Sequence, residues 1–187
     1  TIEHNMPVAP LYDDIVQMWK HAGTGYTPTL IVNYGSVNGE YYWYQHTNVW
    51  EKERLLRFTP RSIIDSRSRH RTMLPEEEYS NGHILTAQSA KKLLDAGVKV
   101  NTGAHGQLQG LGEHWEIWMM QQGGMSNHEA LKTATINGAH ALRRAARAHH
   151  RVHAAARHGR GDARREIAVA DEADAGAGRA DLRDELL

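Results

Sequence analysis

Histidine is the residue type that offers this chain the most chemistry: there are 13 in 187 residues, alongside no cysteine at all. Imidazole titrates near neutrality and ligates divalent metals, so the excess points to metal binding or acid/base work. Without thiols, neither a disulfide framework nor a thiolate metal site can form. His4 follows a short strand-like start. His105 lies in a loop punctuated by Gly103, Gly106, Gly110 and Gly112, where backbone must approach something closely. Asn33 directly follows the apolar run TPTLIV at 27–32. His21, His46, His70, His83, His128 and His140 show no ligand-type partner and read as solvated or packing residues.

The elements that must position these groups can be read from periodicity. Leu11, Ile15, Met18, Trp19 and Ala22 recur at helical steps, and Gly23 closes that helix. The run 27–32 and the run 98–102 (VKVNT) read as buried strands, and 1–4 as the end of another. Residues 33–59 are aromatic-rich and lack a clean period, which predicts a long loop carrying a short helix at 51–58. Helices are expected at 60–71, 82–96, 113–122 and 126–142, the last opened by a capping box of Ser126 and Glu129. Strands alternating with helices predict parallel α/β organisation, with chemistry at the carboxyl ends of the strands. His4, His105 and Asn33 all stand at such ends.

Composition divides the chain. Residues 1–142 contain all 5 Trp, all 7 Tyr, the one Phe, all 6 Lys and all 5 Pro, an ordinary mix able to build a core. Residues 143–187 are an Ala/Arg-rich tail of nine residue types, with 13 Ala and 10 Arg. Alanine buries too little area to offset chain entropy, which predicts a solvated tail, helical at 143–156 or disordered. A nucleic-acid-binding arm is weakened by the acidic residues from Asp162 to Glu185. The abrupt loss of lysine, with Ala, Arg, Gly and His enriched as in GC-rich codons read out of frame, points to a frameshift near Leu142. Lys+Arg and Asp+Glu balance at 22 each, which argues against nucleic acid or an anionic membrane as partner. No apolar run reaches the ~20 residues of a membrane span. The chain opens inside a strand-like segment without Met or a signal peptide, as a fragment would.

Four segments carry a resemblance: TIEHN at 1–5, YTPTL at 26–30, GVKVNTGAHGQ at 97–107 and GMSNHEALKTATINGAHAL at 124–142. In this order they resemble the amidohydrolase superfamily, in particular its imidazolonepropionase and prolidase-like branch, in a subgroup often fused to β-propeller repeats. The resemblance covers residues 1–142. It implies the last third of a TIM (β/α)8 barrel, with about strands six to eight and their helices. It also implies a divalent metal, zinc by the family's habit, and hydrolysis of a C–N bond in an amide, cyclic amide or peptide-like substrate by metal-activated water. On the family pattern His4 matches the sixth-strand metal ligand. The eighth-strand G-T-D is matched by Gly103, Ala104 and His105, so histidine replaces the aspartate. His105 is then a metal ligand or the proton acceptor.

His114, in HWEIW at 114–118, falls near a family H-x-E-L and is expected on the substrate side. Asn33, at the end of the expected seventh strand, is the second substrate-binding candidate. The remaining ligands lie in an N-terminal barrel half that this chain lacks and would require, so the chain alone is expected to be inactive. Propeller-fused relatives imply an exported parent, periplasmic or secreted. The rival expectation is a non-catalytic partner-binding module derived from such a barrel, using the aromatics at 41–50. No GxSxG, HExxH, P-loop or EF-hand pattern is present, which sets aside serine hydrolase, zincin, NTPase and calcium-sensor chemistry.

Overall fold

The computed structural model describes residues 1–68, 72–108, 110–144, 146 and 147. The chain divides into two units, Thr1–Ala141 and Leu142–Leu187, and the fold that follows is that of the first. The expected tail, its helix at 143–156 and the frameshift reading lie almost entirely outside the described residues, as does His70.

Strand β1 (Ile2–Glu3) pairs in parallel with β2 (Tyr26–Thr27), Ile2 opposite Tyr26 and Glu3 opposite Thr27. On the other side of β2, Tyr26 bridges Val100 in parallel, its N–H donating to Lys99 O at 2.8 Å while its carbonyl accepts from Asn101 N at 2.8 Å. Between β1 and β2 runs helix α1 (Asp13–Ala22), with Asp13 and Asp14 in its first turn and Lys20 and His21 in its last, the arrangement that the helix dipole favours. Gly23 closes it in the left-handed region at φ 60, as the sequence predicts.

The remainder is helical: α2 (Gly39–His46), α3 (Glu53–Phe58), α4 (Arg61–Ser68), α5 (Glu76–Tyr79), α6 (Leu85–Asp95), α7 (Leu111–Gln122) and α8 (Asn127–Thr133). α5 joins α6 through a wide turn at Ser80–Ile84, kinked at Gly82. α6 buries Ala87, Ala90 and Leu93 against α7, which buries Trp115, Met119 and Met120. The core is continuous from these helices to Leu30, Ile31, Tyr26 and Val100. Among the described residues, no helix is long and apolar enough to cross a membrane.

The expectation of an α/β partial TIM barrel holding strands six to eight is wrong for this structure. Among the described residues the structure is mostly helical, and the two strands are short and parallel. The cause is visible at 27–32. Pro28 has no N–H for a ladder, Thr29 sits in the left-handed region at φ 56, and Leu30–Val32 coil into a single 3-10 turn. The N–H groups of Leu30 and Ile31 donate to the side chain of Glu116 at 2.8 and 3.0 Å, not to a neighbouring strand. The run 98–102 likewise contributes one bridge and no strand. The aromatic segment expected to be a long loop forms α2. Its rings have no helical stripe because they serve two sides: Tyr42 meets Tyr79, and Trp43 and Tyr44 meet Trp115.

The capping box is present: Ser126 accepts from Glu129 N, and the Glu129 carboxylate accepts from Ser126 N at 2.8 Å. Ser126→Ala removes one half of it and is expected to cost about 1 kcal/mol in chemical denaturation. An unchanged midpoint would show that the helix start is held by packing alone.

Candidate functional site

The structure brings His4 and His105 together. Their rings lie 5.3 Å apart between centroids, edge to face at 64°. Both residues adopt the left-handed backbone region, at φ 70 and φ 53. For residues with a Cβ this conformation is costly, and side chains held in it cluster at functional sites. β1 ends at Glu3, and the left-handed step at His4 turns the chain out of the ladder. The next residue explains how that turn is held. Asn5 is buried, its Oδ1 accepts from Tyr34 N at 2.8 Å, and its Nδ2 donates to Tyr34 O at 2.7 Å. This double bond fixes Tyr34, whose ring stacks on His4 at 4.7 Å and 28°. His4 Nδ1 is buried without a hydrogen-bond partner.

A polar chain runs from the His105 loop to two helices. Arg67 on α4 donates from Nη1 to Gln107 Oε1 at 2.6 Å, and Gln107 Nε2 donates to Glu40 Oε1 on α2 at 3.4 Å. Arg67 Nη1 also lies 3.9 Å from Glu40 Oε2, whose side chain is 12% exposed. Burial raises the Glu40 carboxyl above its ordinary range, while the charges of Arg67 and His105 pull it back. Tyr44, buried one turn along α2, has its phenol pushed up to about 12 by burial and by the charge of Glu40. None of Tyr34, Glu40, Arg67 or Gln107 was singled out by the sequence. Pairing between a helix at 39–46 and one at 61–68 leaves no local signal.

Two further titratable groups are sealed in the core. Glu116 is fully buried, and burial pushes it up to about 8 against the pull of the Leu30 and Ile31 N–H groups. His83, also fully buried, is pushed down to about 4 by burial, although its Nε2 bonds Gln122 Oε1 at 3.1 Å. Both are structural in placement. His83 is a packing residue, as expected, whereas His46 has a carboxylate partner that the sequence did not reveal, Glu76 at 2.7 Å.

The substrate-side candidates are placed differently. Asn33 is 1% exposed, and both heavy atoms of its amide are buried without a partner. An unpaired amide in the interior costs several kcal/mol, and here it is closed to solvent. Asn33 precedes Tyr34, which ties it to the neighbourhood of His4. His114 is exposed on α7 and lines an apolar groove of about 670 Å³ with Leu55, Phe58, Leu111 and Trp118, a lining that includes neither His4 nor His105. Tyr41, Tyr42, Trp43, Tyr44 and Trp50, the expected partner-binding surface, are all buried or half-buried.

Two imidazoles sharing one zinc at ~2.0–2.1 Å per bond, near the tetrahedral angle, have ring centres ~5 Å apart. The observed 5.3 Å fits that spacing, and the buried, unpaired His4 Nδ1 is an orphan that a ligand would satisfy. Among the described residues, no group of three or more His, Cys, Asp or Glu could hold a metal ion. The pair is therefore a partial donor set. No family model matches the chain, and no curated protein or solved structure was found to match it.

Proposed function

We propose that His4 and His105 are two ligands of a divalent-metal site, and that the chain is part of a metal-dependent hydrolase acting on C–N bonds, of the amidohydrolase type. The observation that carries this reading is the convergence of the two imidazoles at 5.3 Å, each on a strained left-handed backbone. Imidazole donors suit zinc. When bound, zinc would lower the pKa of a water toward ~7 and make it a nucleophile for an amide, cyclic amide or peptide-like carbonyl.

The protein groups have separable tasks. Tyr34 stacked on one face of His4 and the Asn5 clamp hold that ring in place. His105 is exposed in its glycine-rich loop, where one ring nitrogen could ligate or accept a proton, but not both at once. Catalytic zinc takes three protein ligands, so two leave the site incomplete.

With thirteen histidines in the sequence, bulk metal binding is uninformative. Zinc titration should be followed by NMR at the His4 and His105 rings individually. Both signals are expected to shift with one shared midpoint, and His4→Ala should weaken the response at His105 by about 10–100-fold, as should the reciprocal change at His4. Independent midpoints, each untouched by loss of the other histidine, would refute a shared site.

A further inference from the structure

We propose that Arg67, Gln107 and Glu40 form a positioning relay that holds the His105 loop in its ligating pose. This rests on the reading of His4 and His105 as one metal site.

His105 belongs to a loop that cannot position itself. It has Gly103 before it and Gly106 and Gly110 after it, and the left-handed conformations at His105, Gly106, Leu108 and Gly110 leave the backbone without a repeating ladder. One local bond, from Gln107 N to Ala104 O at 3.0 Å, closes a turn around His105. That turn sets the local shape but not its orientation toward β1, where His4 lies.

Among the described residues, the long-range side-chain hydrogen bonds of this loop run through Gln107, two residues beyond His105. Its amide is used at both ends. The oxygen accepts from Arg67 at 2.6 Å and the nitrogen donates to Glu40 at 3.4 Å. This orientation of the amide is dictated by its neighbours, since a guanidinium can only donate and an ionised carboxylate can only accept. Arg67 closes the triangle with Glu40 at 3.9 Å. The partners stand on α4 and α2, so the loop is referenced to two rigid elements distant in sequence.

The relay also has a charge consequence. Burial raises the Glu40 carboxyl, while the charges of Arg67, 3.9 Å away, and of His105 pull it back, so the three groups are electrostatically linked. Loss of a group that orients a metal-binding imidazole typically weakens metal binding by ~10–100-fold.

The test uses the full chain, zinc as the probe, and the NMR midpoint at His105 as the readout. Arg67→Ala and Gln107→Ala are expected to weaken the zinc midpoint at His105 about tenfold, with thermal unfolding close to that of the parent. Arg67→Lys, which keeps one donor for the Gln107 oxygen and a positive charge for Glu40, should recover most of the loss. A merely structural role would instead lower thermal stability in step with zinc affinity and would not be rescued by lysine. The relay is overturned if Arg67→Ala and Gln107→Ala both leave the His105 midpoint within twofold of the parent while His4→Ala still weakens it. If His4→Ala has no effect on His105, the shared site itself fails, and the relay with it. Because Gln107 sits in a surface loop, its alanine variant keeps the test decisive even where Arg67→Ala unfolds the protein.

Discussion

Glu116→Ala is expected to destabilise the first unit by roughly 2–6 kcal/mol, because it strands two buried N–H donors, those of Leu30 and Ile31, at ~1–3 kcal/mol each. Glu116→Gln keeps one acceptor but turns an NH2 toward the other donor, so it too should destabilise, by a smaller amount. The two variants also differ from the parent in pH dependence. The Glu116 carboxyl holds its proton in the folded protein up to about 8, against an ordinary value of 4.5. Between those values the folded state binds more protons than the unfolded chain. Its contribution is therefore complete below pH 4.5 and is lost as pH rises toward 8, by on the order of 5 kcal/mol at most.

His83 acts in the opposite sense. Its imidazole titrates at about 4 when folded against an ordinary 6.5, so its contribution is complete above 6.5 and is lost as pH falls toward 4. The two slopes oppose each other between 4.5 and 6.5, which predicts a stability plateau there and a decline on the alkaline side that belongs to Glu116. Urea midpoints at pH 6 and pH 9 provide the measurement. The parent should lose stability at the higher pH and Glu116→Gln should not. Equal parental midpoints would mean that Glu116 is ionised in the folded core throughout.

Gly112→Ala, in the first turn of α7 where it abuts the His105 loop, should be a severely damaging single-methyl addition, costing about 3 kcal/mol. A Cβ at this position would collide with the Gln107 carbonyl oxygen and would stand 3.2 Å from Ile31 Cδ1. Neither neighbour can yield cheaply: one is backbone and the other is a fully buried side chain. Relief would push Gln107 away from Arg67 and Glu40, so the zinc response at His105 should fall along with the melting temperature. Gly106→Ala provides the contrast, because nothing lies within 4 Å of its Cβ position. Its cost should be confined to the left-handed backbone, ~1 kcal/mol. If Gly112→Ala is no worse than Gly106→Ala, the loop has freedom that its packing does not indicate.

Much of the helical framework is legible in local patterns. α1 follows from its apolar spacing and Gly23, α8 from the Ser126 and Glu129 pair, and α6 from alanines and leucines on one face. Where the local pattern misleads, the deciding partner is remote. TPTLIV has the composition of a buried strand, and its apolar residues are indeed buried. It becomes a turn because a carboxylate 85 residues away in the chain takes the two N–H groups that a ladder would have used. The aromatics at 41–44 look aperiodic because Tyr79 and Trp115, on separate helices, draw them to different sides.

By itself, the sequence determined what chemistry is available to this protein: imidazoles without thiols, two of them at the ends of short β-rich runs, and a glycine-rich loop around His105. Those properties are local, set by residue type and nearest neighbours. Tertiary structure alone decided which groups meet. It joined His4 to His105 across a hundred residues, enclosed Asn33, moved His114 to a separate groove, and supplied Glu40, Arg67 and Gln107. It also replaced the expected barrel strands with helices and turns, since backbone pairing depends on which distant acceptor reaches an N–H first, and no local pattern records that competition.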